Sequence, residues 1–393
     1  MRGSDVDFCL SEDQQLFQRT VREFATREIA PVARAFDEAE TFPRENVQKM
    51  AALGLMGLTV PEEYGGAGAG AIEYVIAMEE ISRACAAHSV ILTVNVSLVC
   101  DPILKYGTEA QRRRYLPALA SGAGLGAFAL SEPTSGSDAA HMQTRARCDG
   151  DAYVINGAKN FITNGGEASV YLLFAATDPE RGAKGVTAFL IDADTPGFRP
   201  GAKEAKLGIR ASTTTQVFFD ECRVSASQVL GEPGQGFRIA MSTLDSGRIG
   251  IAAQAVGIGQ AALDAALGYA SQRRAFGQPI SEFQAIQWML ADMHLRVDQA
   301  RLLTYRAATL KQAGKPFSSE AAMAKLAASE AASFAADRAI QVHGGYGYMR
   351  DYPVEKLFRD ARITEIYEGT SEIQRLVIAR GLLRGVAPTG QPA

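Results

Sequence analysis

The stretch RARCDGDAYVINGAKNFITNGGEASVYLLFAA, residues 145–176, decides how the rest of the chain is read. Short runs rich in Val, Phe, Tyr and Thr are separated by Asp149-Gly150, Asn156-Gly157 and Asn164-Gly165-Gly166. β-Branched and aromatic side chains suit a pleated, half-buried surface, and Asn-Gly or Asp-Gly accepts the positive φ of a tight hairpin. The same texture runs from about Leu125 to Leu230, and GEPGQG (Gly231 to Gly236) marks its end. Residues 125–234 are therefore predicted to form a small antiparallel β unit.

On either side the pattern is helical. Ser11 with Gln14 makes a capping box, after which Leu16, Phe17, Val21, Phe24 and Ile29 recur near the helical period until Pro31, where the helix is predicted to stop. Thr108 with Gln111 repeats the start signal after Gly107, and YGGAGAG (Tyr64 to Gly70) is a loop ahead of a helix carrying Glu79 and Glu80. Beyond the β unit, Ile286, Leu290, Met293, Val297, Ala300 and Thr304 alternate spacings of four and three, the stripe of a helix packed on others. The chain has 393 residues, more than one hydrophobic core usually serves. The predicted fold is α+β and multidomain: an N-terminal helical domain (1–124), a middle antiparallel β domain (125–234) and a C-terminal four-helix bundle (235–393).

Lys and Arg number 40 against 44 Asp and Glu, spread without a basic arm, so nucleic acid is not an expected partner. Cys9, Cys85, Cys100, Cys148 and Cys222 are odd in number and never closely paired, which suggests neither a disulfide framework nor a zinc knuckle and fits a reducing compartment. The longest apolar stretch, Ser89 to Cys100, is short and interrupted by Thr93, Asn95 and Ser97, so no membrane insertion is expected. The start, MRGSDVDFCLSEDQQ, is acidic and has neither an apolar h-region nor an Arg-rich transit pattern. A cytoplasmic location is expected, and a processed mitochondrial matrix protein would look the same.

Gly66-Ala67-Gly68-Ala69-Gly70-Ala71 satisfies G-x-G-x-x-A, but Pro61-Glu62-Glu63-Tyr64 before it is no buried strand and no β-α-β pattern surrounds it, so it reads as a loop. There is no G-x-S-x-G elbow, and His88, His141, His294 and His343 lack metal-ligand spacing. No metal is expected. SEPTSGSDA (Ser131 to Ala139) gathers small hydroxyl residues and Gly136 where backbone amides could meet a phosphate, although a polar turn also explains it. IYEGTSEIQ (Ile366 to Gln374) places Glu368 just before a helix start, with Ser371 as N-cap and Gln374 completing the box. Gly369 leaves room for a ligand, and a solvated loop glutamate is the alternative for Glu368.

Taken together and in this order, SEPTSGSD, NFITNGG, LGEPGQGF, LDSGRIGIA, RRAFG, QVHGGYGY and IYEGTSEIQR resemble the acyl-CoA dehydrogenase family over nearly the whole chain, most of all its short-chain (butyryl-CoA) branch. The resemblance implies FAD as cofactor, with the segment from Phe128 through Leu130, Ser131 and Gly136 to Ser137 lining it and Ser137 also near the substrate. It gives Phe161, Ile162 and Thr163 to flavin packing; many members have Trp where this chain has Phe161. Arg273 and Phe276 would reach the FAD of a neighbouring subunit, as would Gln341, Gly344 and Gly345 with Gln284 adjoining, which implies a homotetramer. Some relatives have His where Phe283 stands, so no polar role is expected there. Thr370, Ser371 and Glu372 match a further cofactor contact, and Asp245, Arg248 and Gly369 the substrate site.

The activity implied is α,β-desaturation of an acyl-CoA to a trans-2-enoyl-CoA within fatty acid β-oxidation, Glu368 taking the α-proton and electrons passing to an electron-transfer flavoprotein. The family places its base either in the IYEGT loop or just before the arginine of LDSGR, and Gly247 fills the second position here, leaving Glu368. Binding of an acyl chain is expected to desolvate Glu368 and raise its pKa against the favourable helix N-terminus nearby. A branched short-chain (isobutyryl or 2-methylbutyryl) substrate, or a flavin acyl-CoA oxidase on the same scaffold, are the alternatives.

Overall fold

The structure, a computed structural model, describes residues 9–383; the first eight residues of the acidic start and residues 384–393 of the C-terminal bundle lie outside the described residues. Seven helices come first: α1 (Glu12–Phe24), α2 (Ala30–Ala39), α3 (Arg44–Ala52), α4 (Ala71–Ala84), α5 (Ala86–Thr93), α6 (Asp101–Tyr106) and α7 (Glu109–Ala120). Both capping boxes form. Gln111 does more than close its own, because its amide also donates to the carbonyls of Ser227 (2.9 Å) and Val229 (2.8 Å) and so ties α7 to the far end of the β unit. Pro31 does not end the helical path as predicted. A π-turn at Ala25–Ile29 bridges α1 to α2, and Pro31 falls in the first turn of α2, where a missing N–H is no loss.

The middle unit holds β1 (Gly126–Ala129), β2 (Arg145–Asp149), β3 (Ala152–Thr163), β4 (Val170–Ala176), β5 (Val186–Asp192), β6 (Phe198–Lys203), β7 (Thr214–Ser225) and β8 (Val229–Leu230). They form one sheet in the order β6-β7-β3-β2-β4-β5-β8, with β1 beside β4. Pairing is antiparallel except that β4 runs parallel to β1 and meets β2 in parallel through Arg145 and Ala176. Of the three predicted hairpin signals only Asp149-Gly150 makes one, with Asp149 opposite Ala152. Asn156-Gly157 instead lies inside β3 at a register shift, where the Asn156 amide donates to Glu221 (2.7 Å) and a Cβ on Gly157 would stand 2.7 Å from Thr144 Cα. A bulge with a close backbone approach calls for the same dipeptide as a turn does. Asn164-Gly165-Gly166 turns the chain out of β3 toward β4, two strands that do not pair with each other.

The C-terminal helices are α8 (Gly236–Gln272), α9 (Gln284–Gln312), α10 (Ser318–His343), α11 (Val354–Ile363) and α12 (Ser371–Leu383). The face predicted on α9 is inward, with Met293, Val297, Ala300 and Thr304 buried and Ile286 and Leu290 packed at its edge. α8 and α10 meet through small residues such as Ala252, Ala255, Ala328, Ala332 and Ala335, and one hydrophobic cluster joins them to Val21, Ile29, Val75 and Ile81 of the N-terminal helices. α4 approaches α8 so closely that a Cβ on Gly250 would lie 2.2 Å from the Tyr74 hydroxyl and one on Gly257 2.4 Å from the Glu79 carbonyl oxygen.

The apolar stretch at Ser89 to Cys100 proves longer in structure than in sequence. The helical path Ala86–Tyr106 and α8 are both long and apolar enough to cross a membrane by length and composition, yet 89% and 78% of their most apolar windows are buried inside the protein. Its polar interruptions are connections. Asn95, fully buried in a π-turn at Val94–Cys100, donates to the carbonyls of Met56 (2.9 Å) and Leu119 (3.1 Å) and accepts from the Gly126 N–H (2.9 Å), pinning β1 to the helices. Thr93 meets the Tyr74 hydroxyl at 2.6 Å, and the Ser97 hydroxyl donates to the Thr93 carbonyl at 2.8 Å. Asn95→Ala strands the Gly126 N–H and the Met56 carbonyl in the interior, the Leu119 carbonyl still accepting from the Gly122 N–H at 3.3 Å, at roughly 1–3 kcal/mol per group. It is expected to destabilise by about 3 kcal/mol or more, read as a fall in the denaturation midpoint at unchanged m-value; a loss below about 1 kcal/mol would refute the pinning role.

Candidate functional site

Glu368 sits in the short connection between α11 and α12 and adopts φ +52°, with Gly369 following at φ +96°. A non-glycine residue in the left-handed region carries strain that its surroundings must hold. Gln374, on the first turn of α12, reaches back with its side-chain amide to the carbonyls of Gly369 (2.8 Å) and Glu368 (3.4 Å), while the Ser371 N–H donates to the Glu365 carbonyl (3.0 Å). The predicted cap is thereby corrected. Ser371 is the first helical residue, Thr370 is the N-cap whose hydroxyl accepts from the Ile373 N–H (3.4 Å), and Gln374 serves the loop instead of a capping box.

The carboxylate points at α8. One of its oxygens, Oε2, is shielded from solvent and has no hydrogen-bond partner, and a Cβ built on Gly247 would lie 2.0 Å from it and 2.7 Å from Leu98 Cδ2. The glutamate thus occupies the space that any side chain at 247 would need, so the two base positions exclude one another sterically. Burial pushes the Glu368 carboxyl up to about 7, against the opposing charges of Lys325 and Arg248. The helix N-terminus expected to oppose the rise is joined by two cations that are remote in sequence.

Arg248 is buried, pairs with Asp245 at 2.6 Å and keeps its Nε without a partner. Burial raises the Asp245 carboxyl and Arg248 opposes the rise. A Cβ on Gly369 would come 3.8 Å from an Arg248 terminal nitrogen, which brings Asp245, Arg248, Glu368, Gly369 and Thr370 into one neighbourhood. Lys325 of α10, fully buried, donates to the Gly369 carbonyl at 2.7 Å. Sequence reading passed over Lys325, and it gave Gln374 to the cap rather than to the loop it braces. The signal for Lys325 was a single cation in the alanine-rich run AAMAKLAAS.

A second group lies at the β unit. Leu130 is buried, Ser131 accepts through its carbonyl from the Asn160 N–H (2.8 Å), and Phe128 packs on Phe174 at 5.0 Å between centroids. The loop beyond is open: Ser137 is exposed and nothing lies within 4 Å of a Cβ on Gly136. Its base is a buried ion pair, Lys159 with Glu132 at 2.8 Å, also passed over in the sequence. Burial lowers the Lys159 ammonium to about 8. Burial alone would raise the Glu132 carboxyl, but Lys159 and the amides of Gln143 and Thr144 hold it below its ordinary value. Where β3 shifts register, Phe161 takes φ +59° and remains 67% exposed, whereas Ile162 points into the sheet core and Thr163 is half-buried.

The third group is on the surface. Arg273 stands over the Tyr346 ring at 5.6 Å, Phe276 is 96% exposed at φ +51° and meets Phe283 edge-on at 6.0 Å, and Gln284, Gln341, Gly344 and Gly345 are exposed. Among the described residues, no hydrogen bond, ion pair or ring contact joins this group to the Glu368 loop. Three of the seven non-glycine residues with positive φ among the described residues, Phe161, Phe276 and Glu368, fall one in each group, a distribution expected where strain serves a site.

Comparison with known proteins agrees with this arrangement. The profiles described as the N-terminal, middle and C-terminal domains of acyl-CoA dehydrogenase match residues 11–123, 127–222 and 234–383. The chain is 55% identical over 375 residues to the short-chain specific acyl-CoA dehydrogenase, mitochondrial, of Homo sapiens, covering 95% of this chain and 91% of that one. It superposes with TM-score 0.95 and 45% identity on butyryl-CoA dehydrogenase from Megasphaera elsdenii, covering 96% of this chain and all 100% of the other. It superposes equally, TM-score 0.95 at 47% identity with 96% and 100% covered, on a chain in a structure described as the electron transferring flavoprotein of Acidaminococcus fermentans.

The contact between Gly247 and Glu368 can be tested through stability. Helix propensity alone favours Gly247→Ala by up to about 1 kcal/mol. Overpacking against the carboxylate is expected to reverse the sign, to a net loss of about 1 kcal/mol or more in thermal unfolding. In a Glu368→Ala background the loss should shrink, Leu98 Cδ2 being the remaining close neighbour. A stabilising Gly247→Ala in the otherwise unchanged chain would show that the carboxylate lies elsewhere.

Proposed function

Because the chain belongs to the acyl-CoA dehydrogenase family of oxidoreductases, we propose that it desaturates a short straight-chain acyl-CoA, of butyryl type, to the trans-2-enoyl-CoA with Glu368 as base. The observation that carries this reading is the solvent-shielded, unpartnered Oε2 of Glu368 above Gly247. A carboxyl raised to about 7 is a much stronger base than a solvated glutamate and is still substantially ionised near neutral pH. An acyl chain entering beside Leu98 would exclude the remaining water and raise its basicity further. Asp245 and Arg248 are assigned to the substrate, the unpaired Nε of Arg248 being a donor still available there.

FAD, the cofactor of this family, supplies when bound the acceptor for the hydrogen leaving the β-carbon. The residues present suit it. Phe161 offers an exposed aromatic face on a bulged strand, the Ser131 to Ser137 loop is open at Gly136, and Ser371 Oγ and Gln374 Oε1 are buried polar atoms without partners. Phe128, Leu130 and Thr163 are assigned to that wall of the site, with Ile162 buried in the sheet core behind it, and Thr370 and Glu372 to its α12 edge.

The surface group is assigned to a neighbouring subunit's cofactor in a homotetramer. Its support is the exposed apolar residues beside it: Tyr348 is 84% exposed, and Trp288, Leu295 and Leu302, seven residues apart on α9, present a stripe opposite the buried face. An electron-transfer flavoprotein as acceptor is supported by the likeness to the Acidaminococcus chain. A reducing compartment is supported by the thiols of Cys85, Cys100, Cys148 and Cys222, none in a disulfide among the described residues.

Glu368→Gln keeps the shape and removes the base. It is expected to retain FAD and bind butyryl-CoA but to lose at least about two orders of magnitude in flavin reduction by stopped-flow, near-native reduction being the outcome that rules Glu368 out. The same variant tests the electrostatics. The folded-state pKa is raised, so the folded protein holds more protons than the unfolded chain, and stability declines as pH rises from about 4.5 toward about 7. Glu368→Gln is expected to flatten that decline and to melt higher than wild type above neutral pH. Arg273→Ala is expected to weaken FAD retention and oligomer mass together; unchanged values for both would remove it from the interface.

A further inference from the structure

Lys325 is fully buried in α10 among Ala321, Ala322, Ala324 and Ala328, all likewise buried. Its ammonium makes one hydrogen bond, to the Gly369 carbonyl at 2.7 Å, and no ion pair among the described residues. An unpaired buried cation is costly, and one neutral carbonyl does not offset it. A neutral donor would satisfy that carbonyl as well, and Gln374 already donates to the same oxygen at 2.8 Å. Fold stability alone therefore gives no reason for a charge here. The carbonyl it holds belongs to the residue after Glu368, in a turn where both residues have positive φ and relax readily without external bonds.

We propose that Lys325 is the positioning residue of the base: it fixes the Glu368–Gly369 turn from the α10 side, and its charge favours the ionised carboxylate in the dry slot above Gly247. This rests on Glu368 being the base. The charged and titratable groups facing the pair are Arg248 and Asp245 from α8, Glu365 from the connection before the turn, Glu372 from α12, Tyr367 beside Glu368 and Tyr74 from α4. Burial lowers the lysine to about 8, with Glu368, Glu365 and Glu372 opposing and Arg248 reinforcing. Lysine and glutamate are thus drawn toward one another from their ordinary values, and each charge stabilises the other across the Gly369 peptide. Removing the cation should raise the Glu368 pKa further and move its ionisation to higher pH.

The test uses the FAD-loaded enzyme carrying Lys325→Gln, Lys325→Met or Lys325→Arg, with Glu368→Gln as reference, and follows flavin reduction by butyryl-CoA from mildly acidic to alkaline pH. Lys325→Gln keeps a donor and loses the charge. Its apparent kinetic pKa is expected to rise by about one unit, with a rate about tenfold lower near neutral pH that recovers at alkaline pH, and KM little changed. Lys325→Met should show the same shift and a lower alkaline plateau as well, because the turn loses its tether. Lys325→Arg should keep the wild-type pKa. Folded, FAD-containing Gln and Met variants that titrate like wild type would overturn the proposal, as would failure of all three to fold, which would make the lysine structural. Near-native reduction by Glu368→Gln would instead sink the base assignment itself, so the two failures are told apart.

Discussion

One solvent-shielded carboxylate oxygen without a hydrogen-bond partner organises this protein. Leaving Glu368 Oε2 bare is unfavourable for the fold, and four elements cooperate to sustain it. α8 contributes an absence, the missing side chain of Gly247; the π-turn at Val94–Cys100 contributes Leu98 as the apolar wall; and α10 and α12 hold the strained turn through Lys325 and Gln374. Desolvation raises the carboxyl to about 7, and the two nearby cations, Lys325 and Arg248, oppose the rise. The balance sets basicity through packing, with no direct contact to the carboxylate's buried oxygen.

That slot requires helices to approach closely. Gly250 and Gly257 let α4 lie against α8, and the alanines of α10 do the same from the other side. Small residues bring rigid backbones near one another, leaving few rearrangements by which a dry cavity could fill with water. Asn95 extends the constraint to the β unit, since a single buried amide fixes β1 to two helical segments. Within the β unit the buried Lys159 and Glu132 pair anchors the Ser131 to Ser137 loop.

Strain is distributed with the same economy. Phe161, Phe276 and Glu368 each adopt a backbone conformation that disfavours side chains, and each presents its side chain where the surrounding chain does not cover it or leaves it unpaired. Trp288, Leu295 and Leu302 on α9 and Tyr348 are exposed as well.

The sequence by itself determined the partition into helical, β and helical thirds, the buried face of α9, both N-terminal capping boxes and the position of the loop that carries Glu368. These are written in local periods and spacings of three to seven residues, which neighbouring side chains alone impose. It misread features whose local signal has two structural meanings: Asn156-Gly157 serves a bulge rather than a hairpin, Pro31 begins a helix rather than ending one, and Gln374 braces a loop rather than a cap. Only the tertiary structure decided that Lys325, 43 positions before Glu368 in the chain, would share its electrostatics, that Asn95 would be a junction rather than an interruption, and that Gly247 would be filled by the carboxylate of residue 368. The physical reason is distance along the chain. Desolvation and Coulomb coupling depend on which groups are brought within a few ångströms, and that is fixed by the packing of α8, α10 and α12 rather than by any pattern within one of them.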